Sequence, residues 1–136
     1  MIEVIIATKN EAKLKEILRI IGSKDIHFKS LLDFPGFPEI EENGKTFAEN
    51  AIIKACAVAK MTGMIALADD SGLEVDALQG EPGIYSARFG GDKINDSERN
   101  ILLLKKMEGI PEERRNARFV CAVAIAMPDG NVKVVE

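Results

Sequence analysis

Residues 2–13 read Ile2-Glu3-Val4-Ile5-Ile6-Ala7-Thr8-Lys9-Asn10-Glu11-Ala12-Lys13, a short apolar run that passes directly into a polar turn. The apolar part, Ile2–Ala7, is rich in β-branched residues and predicts a strand covered on both faces, as in parallel sheets. Beyond the turn, apolar residues recur at helical spacing, with Asn10 as the predicted N-cap and Gly22 as the stop. We call Thr8–Lys13 the polar turn. A strand, a turn and a helix in this order predict an α/β fold.

The rest of the chain continues to alternate between strand and helix patterns. Its last two apolar runs flank Pro128-Asp129-Gly130-Asn131, which is a hairpin signal. Parallel strands followed by a late hairpin predict an α/β sandwich around a mixed, elongated β-sheet with helices on both faces. The predicted elements are strands at Ile26–Leu31 and Met64–Ala68, helices from Thr46 to about Met61 and from Asn95 or Asp96, and the hairpin strands Ala117–Met127 and Val132–Val135.

Composition limits the class of protein. The chain has 136 residues, of which 46% are hydrophobic, so we expect a single domain at 1–136 with a real core. A formal net charge of −4 argues against a nucleic-acid groove. No apolar run approaches the roughly 20 residues that span a bilayer, so we expect no membrane segment and a cytoplasmic location. His27 is the only histidine, which leaves little for a histidine-based zinc site or a serine-histidine-aspartate triad.

The polar turn has the groups that bind phosphate. Backbone amides at a helix start lack helical partners, the helix dipole adds partial positive charge there, and Lys9 and Lys13 supply ammonium groups. The plainer alternative is that Asn10 only caps the helix while both lysines are solvated. The turn is not a Walker motif, because it has neither the glycines nor the terminal Lys-Ser/Thr pair.

A carboxylate pair, Asp69-Asp70, follows the apolar run Met64–Ala68. Two adjacent carboxylates repel one another unless a cation is near, and magnesium prefers such hard oxygen ligands. Glu41 and Glu42, in the loop before the second helix, are candidate further ligands. The alternatives are a solvent-facing turn for the aspartates and plain surface charge for the glutamates. Ligands collect at the carboxyl ends of parallel strands, so we expect this pair to lie near the polar turn.

Lys54 stands among apolar neighbours in the second predicted helix. Its partner is expected to be a phosphate or the acidic cluster, and the alternative is a lysine that snorkels at the helix margin. The glycine-bracketed segment Gly80–Gly91 suits a flexible lip beside a site. It suits equally a structural loop in which Tyr85 and Phe89 pack into the domain.

Taken in order, four motifs closely resemble those of the inosine triphosphate pyrophosphatase family. The resemblance implies hydrolysis of non-standard purine nucleoside triphosphates, namely ITP, dITP and XTP, between the α and β phosphates. The products are a nucleoside monophosphate and pyrophosphate, and the reaction cleanses the nucleotide pool. It also implies dependence on Mg²⁺ and a homodimer. The motifs are Thr8-x-Asn10-x-x-Lys13, Thr46-Phe47-x-Glu49-Asn50-Ala51-x-x-Lys54-Ala55, Ala68-Asp69-Asp70-Ser71-Gly72-Leu73 and Pro82-Gly83-Ile84-Tyr85-Ser86-Ala87-Arg88.

The resemblance also implies roles for single residues. Asp70 is expected to be the catalytic proton acceptor and a metal ligand, with Glu42 and Asp69 in the same metal cluster. Ser71 is expected to contact the substrate. The residues expected to hold the phosphates are Thr8, Lys9, Asn10, Glu11, Ala12, Lys13 and Lys54.

One departure from the family concerns the end of the sequence. Family members normally continue beyond the hairpin with Gly-Phe-Gly-Tyr-Asp, a lysine and Ser-His-Arg, which contribute to the base pocket, and these segments do not occur in the 136 residues. We therefore expect a C-terminally truncated member of the family. The alternative is a truncated, non-catalytic module that binds nucleotides or dimerises.

Overall fold

A computed structural model describes residues 2–136, which form five strands, three α-helices and four short 3-10 turns. The strands are β1 (Ile2–Ile6), β2 (Ile26–Ser30), β3 (Ile65–Val75), β4 (Ala117–Ala126) and β5 (Val132–Val135), and the helices are α1 (Glu11–Ile21), α2 (Phe47–Thr62) and α3 (Asp96–Lys106). The 3-10 turns lie at Leu31–Asp33, Asp76–Leu78, Gly83–Arg88 and Glu112–Arg114.

The strands form one mixed sheet in the order β2-β1-β3-β4-β5. The central strand of the first half, β1, runs parallel to both β2 and β3. The last two strands pair antiparallel, with Val123 opposite Val135, and the turn between them is closed by the Met127 N–H, which donates to the Asn131 carbonyl at 2.8 Å. The α/β class, the mixed sheet and the terminal hairpin are therefore confirmed.

Local sequence signals set the ends of the helices. The side chain of Asn10 accepts a hydrogen bond from the Lys13 N–H, and the Gly22 N–H donates to the Leu18 carbonyl at the other end of α1. At the start of α2, the Thr46 side chain accepts from the Glu49 N–H. Gly63 ends that helix at φ +70°, a conformation that favours glycine because it has no Cβ. The predicted ends of α1, Asn10 and Gly22, are confirmed.

The third strand is longer than predicted. It does not stop at Ala68 but continues through Asp69 and Asp70 to Val75. Its parallel pairing with β1 ends at Leu67, whose carbonyl accepts from the Ala7 N–H at 2.8 Å. Because β4 is its neighbour on the other side in the sheet order, β3 can stay extended after β1 has ended. The carboxylates thus lie just beyond the end of β1, inside a longer strand.

The chain divides into two compact units, one that runs to Asp70 and resumes at Ala122–Glu136, and one at Ser71–Cys121. In the first unit, the inner residues of β1 are buried together with a series of small side chains on α2, which contacts β5. Alanines at helical spacing let a helix lie close to a sheet, since they occupy little volume. Those on α2 that are at most 1% exposed are Ala51, Ala55 and Ala59.

The second unit holds the glycine-bracketed segment in place by hydrogen bonds. The Ser86 hydroxyl accepts from the Leu73 N–H at 2.9 Å and donates to the Gly83 carbonyl at 2.6 Å. Tyr85 is exposed, so the alternative in which it packs into the domain is wrong for this residue. Its ring instead lies 5.6 Å from the guanidinium of Arg88, a distance at which cation and ring attract.

Two further sequence predictions concern membrane segments and the number of domains. Within residues 2–136, no helix is both long and apolar enough to cross a membrane. The single domain at 1–136 stays a prediction.

Candidate functional site

The polar turn is ordered by two of its own side chains. The Thr8 hydroxyl accepts a hydrogen bond from the Asn10 N–H at 3.1 Å, and the Asn10 side-chain oxygen accepts from the Lys13 N–H at 3.1 Å. The first helical bond is donated by the Leu14 N–H to the Asn10 carbonyl, so the amides of Glu11 and Ala12 precede the helical bonding pattern. The backbone N–H groups of Asn10 and Lys13 are thus already hydrogen-bonded. Those of Glu11 and Ala12 are available to bind an anion.

The lysines of the polar turn are bound to protein groups. The Lys9 ammonium donates to the Phe37 carbonyl at 2.7 Å. The Lys13 ammonium lies 2.6 Å from Asp69 Oδ2. The alternative in which both lysines are merely solvated is therefore wrong. Glu11 pairs with Lys15 on the exposed side of α1, so only its backbone faces the turn.

Lys54 joins two segments that are distant in sequence. Its ammonium lies 3.0 Å from Glu42 Oε1 and donates to the Asp69 carbonyl at 3.0 Å. Its side chain is only 18% exposed, so it does not snorkel at the helix margin. Of the two expected partners, a phosphate or the acidic cluster, the acidic cluster is the one that holds it in this structure. Two lysines and three carboxylates therefore converge beyond the end of β1.

The two aspartates differ in environment. Asp69 is buried and neutralised by Lys13, whereas Asp70 Oδ2 is buried without a hydrogen-bond partner. Burial raises the pKa of the Asp70 carboxyl above its ordinary value, and the charges of Glu42 and Asp69 raise it further; a hydrogen bond from Asn50 and the charge of Lys54 oppose these effects. An unpartnered buried carboxylate oxygen is costly, so its presence points to a partner that arrives with a ligand.

The acidic residues fit a metal ion that is shared with a substrate. Among residues 2–136, no three or more His, Cys, Asp or Glu side chains are grouped so as to hold a metal by themselves. Magnesium usually binds one or two carboxylates and completes its shell with phosphate oxygens and water, which needs no such group. The free oxygen of Asp70 and the nearby carboxylate of Glu42 suit that arrangement. Glu41 is exposed, whereas Glu42 is half-buried and held by Lys54.

A cleft of about 320 Å³ adjoins these groups within the first unit. Its polar lining comes from residues 8–10 of the polar turn, Glu39, Glu42 and Lys54, and its apolar lining includes Leu31 and Ile40. The loop that precedes α2 was expected to carry ligand contacts, and it supplies one wall of this cleft. A concave site with a few convergent polar groups is the usual form of a small-molecule site.

Ser71 is a predicted site residue whose role is not tested, and Asn50 is a buried residue near Asp70 that the sequence analysis did not single out. Ser71 is exposed and begins the second unit, so its contact with substrate stays a prediction. Asn50 was quoted only as part of a motif, yet it is 1% exposed and bonds to Asp70. A polar side chain on the buried face of an alanine-rich helix is a signal for such a role, because a buried amide needs partners.

Comparison with known proteins agrees with this fold and identifies the family of the chain. The sequence profile of the Ham1 family matches residues 4–136. The dITP/XTP pyrophosphatase of Desulforamulus reducens is 50% identical over 134 residues, which cover 98% of this chain and 67% of that protein. The dITP/XTP pyrophosphatase of Bacillus licheniformis is 53% identical over 136 residues, covering 100% of this chain and 69% of that protein.

Solved structures give the same answer. The Ham1 protein of Staphylococcus aureus superposes with a TM-score of 0.85 at 41% identity, covering 97% of this chain and 67% of that one. A HAM1 protein from Coxiella burnetii gives a TM-score of 0.88 at 39% identity, covering 98% and 68% of the two chains. The chain thus spans about two-thirds of the length of the relatives it matches. Because the match extends through nearly all of this sequence and through its fold, the chain belongs to the Ham1 family.

Proposed function

We propose that this protein hydrolyses non-standard purine nucleoside triphosphates, namely dITP, XTP and ITP, to the nucleoside monophosphate and pyrophosphate. The observation that carries the proposal is the buried, unpartnered Asp70 Oδ2 in a cluster that also contains Lys13 and Lys54. A free carboxylate oxygen close to cationic side chains is suited to chemistry on a phosphate anhydride. The printed activity of the relatives supports the same reaction class.

Binding of the triphosphate is assigned to the polar turn and Lys54. The amides of Glu11 and Ala12 and the dipole of α1 favour an anion there, and Thr8 and Asn10 fix the shape of the turn. The ammonium groups of Lys9, Lys13 and Lys54 are presently bound to protein oxygens and exchange these for phosphate oxygens. The exchange releases the carboxylates of Asp69 and Glu42 from Lys13 and Lys54, so that they become available to a cation.

Magnesium is the proposed cofactor, with Glu42 and Asp70 as its main ligands and Asp69 in the same cluster. When bound, the metal offsets the charge of the triphosphate and polarises the bond to be cleaved. Asp69 is engaged with Lys13, so its part is to set the charge of the cluster and to become available when Lys13 turns to phosphate.

Asp70 is the proposed proton acceptor. Burial raises its pKa in the metal-free protein, and its free Oδ2 would accept the proton of a water molecule positioned for attack in line with the departing pyrophosphate. Ser71, next in sequence, is proposed to contact the substrate. Asp70 would thus position the attacking water and remove its proton.

A homodimer and a cytoplasmic location also belong to the proposal. The homodimer is implied by the resemblance, which membership of the family supports, whereas the cytoplasmic location was expected from the hydrophobic pattern of the sequence. The proposed substrates are free nucleoside triphosphates of the nucleotide pool, so the cytoplasm is the expected place of action.

A pyrophosphate-release assay tests the proposed function. We expect magnesium-dependent release from dITP, XTP and ITP, weaker release from GTP and dTTP, and loss of about 10² to 10⁴ in kcat for Asp70→Asn. The exposed Asp25→Asn is the matched control and should keep its activity. Tight nucleotide binding without any pyrophosphate release would instead favour a non-catalytic binding module. Undiminished turnover of Asp70→Asn would defeat the role given to that carboxylate.

A further inference from the structure

The side-chain amide of Asn50 is buried inside the first unit. Asn50 lies on α2 and is 1% exposed, next to the fully buried Ala51. A buried amide is costly unless its oxygen and its NH₂ group both find partners. Those partners are a loop on one side and the candidate proton acceptor on the other.

The oxygen of Asn50 anchors the acidic loop, which we define as residues 41–44. It accepts a hydrogen bond from the Gly44 N–H at 2.7 Å. A Cβ at position 44 would lie 2.7 Å from that same oxygen and 2.8 Å from the Cβ of Glu49. Only glycine therefore allows the loop to approach α2 this closely. Glu42 lies two residues before this contact.

The NH₂ group of Asn50 is directed elsewhere, because its oxygen already receives the Gly44 proton. Asp70 receives a hydrogen bond from the Asn50 side chain. Asp70 Oδ2 itself has no hydrogen-bond partner. A single amide thus joins the acidic loop to the end of the parallel part of the sheet.

Lys54 lies one helical turn beyond Asn50 on α2 and makes a second connection of the same kind. It contacts Glu42 at 3.0 Å and the Asp69 carbonyl at 3.0 Å. Residues four apart on a helix share one face, so both connections are built on the same side of α2. The two residues differ in charge: the ammonium of Lys54 can pair with a substrate phosphate, whereas the amide of Asn50 is neutral.

We propose that Asn50 is a positioning residue that, by seating Gly44, sets the placement of Glu42 relative to Asp70. It touches neither substrate nor metal and acts through the groups that it orients. The inference rests on the proposed function, since Glu42 and Asp70 are its proposed metal ligands. Partners that orient metal ligands are commonly worth 10- to 100-fold in metal affinity, which is about the effect expected here.

The test is the magnesium affinity of Gly44→Ala. MgCl₂ is titrated calorimetrically into protein saturated with the α,β-methylene analogue of ITP, in which the bond to be cleaved is blocked. We expect the dissociation constant for magnesium to rise about tenfold or more at a temperature at which the variant is fully folded. Asn43→Ala, whose side chain is exposed in the same loop, is the matched control and should leave the constant unchanged.

A second variant shows whether the effect passes through the amide. In an Asn50→Ala background the oxygen that Gly44 contacts is gone, so Gly44→Ala should add less than its effect in the wild type. Full additivity, or a Gly44→Ala constant within about twofold of the Asn43→Ala control, would overturn the inference. If Asn50→Ala does not fold, the single Gly44→Ala comparison decides. Absence of pyrophosphate release by the wild type counts against the proposed function alone, because binding is measured with an uncleaved analogue.

Discussion

The ammonium of Lys13 lies 2.6 Å from Asp69 Oδ2, so the first turn of α1 is tied to the carboxylate pair on β3 by an ion pair with limited exposure. The proposed phosphate ligand and the proposed metal cluster thus hold one another in the absence of substrate. Binding of a triphosphate must replace this contact.

Removal of the Lys13 charge tests its role in substrate binding. For Lys13→Met we expect the KM for dITP to rise about 10- to 100-fold, since a hydrogen bond from a charged group contributes roughly 1.5–3 kcal/mol. Lys15→Met is the matched control, because Lys15 lies on the exposed side of the same helix and pairs with Glu11 at 3.6 Å. Steady-state kinetics at saturating magnesium give both values. Equal KM values for the two variants would contradict the assignment.

Glu42 both holds Lys54 and is a proposed metal ligand, so its removal should have two opposite effects. In Glu42→Gln the ammonium of Lys54 no longer has its carboxylate partner and is available to phosphate. We expect inorganic triphosphate to bind about fivefold more tightly in EDTA, a gain of about 1 kcal/mol in binding free energy. Magnesium should bind more weakly in the presence of the α,β-methylene analogue. Calorimetry measures both constants.

Glu41→Gln is the control for this prediction, since Glu41 is the exposed neighbour. If Glu41→Gln weakens magnesium binding while Glu42→Gln does not, the ligand has been assigned to the wrong glutamate.

The buried carboxylate of Asp70 should lower the stability of the metal-free protein as the pH rises. Its pKa is raised in the folded state, chiefly by burial, so the folded protein holds this proton more tightly than the unfolded chain. Its contribution to stability is fully present below the unfolded pKa, near 3.9, and is lost as the pH rises through the folded value.

Asp70→Asn removes this titration. In EDTA we expect the variant to melt at a higher temperature than the wild type at pH 8, with the difference shrinking as the pH approaches 4. Thermal melts across this range provide the measurement, and Asp25→Asn, at an exposed carboxylate, should show no such trend. A difference that grows toward low pH would contradict the sign of the shift.

The close packing of α2 should make it intolerant of added volume. Ala55 is 0% exposed, so Ala55→Leu should lower the free energy of unfolding by about 1–3 kcal/mol through overpacking. Ala57→Leu, at a half-buried position of the same helix, is expected to cost less. Urea denaturation gives both free energies, and equal losses would show that the buried face is looser than its burial indicates.

The parts of the fold that follow from neighbouring residues were predictable. Asn10 and Gly22 bound α1 because capping needs only groups within one turn of the chain. Pro128–Asn131 predicted the hairpin for the same reason. The end of β3 was not predictable in this way, because it depends on β4 as a neighbouring strand, and a pairing between distant segments leaves no local signal.

The same distinction between local and long-range contacts applies to the candidate site. From the four ordered motifs alone the sequence determined the family, the acidic and basic residue types of the site, and the reaction class to expect. Only the tertiary structure decided which charges meet. It places Lys13 on Asp69, Lys54 on Glu42, and the amide of Asn50 between Gly44 and Asp70. The physical reason is that caps and turns form between groups a few residues apart, whereas these partners are brought together only by the order of strands in the sheet and the packing of α2.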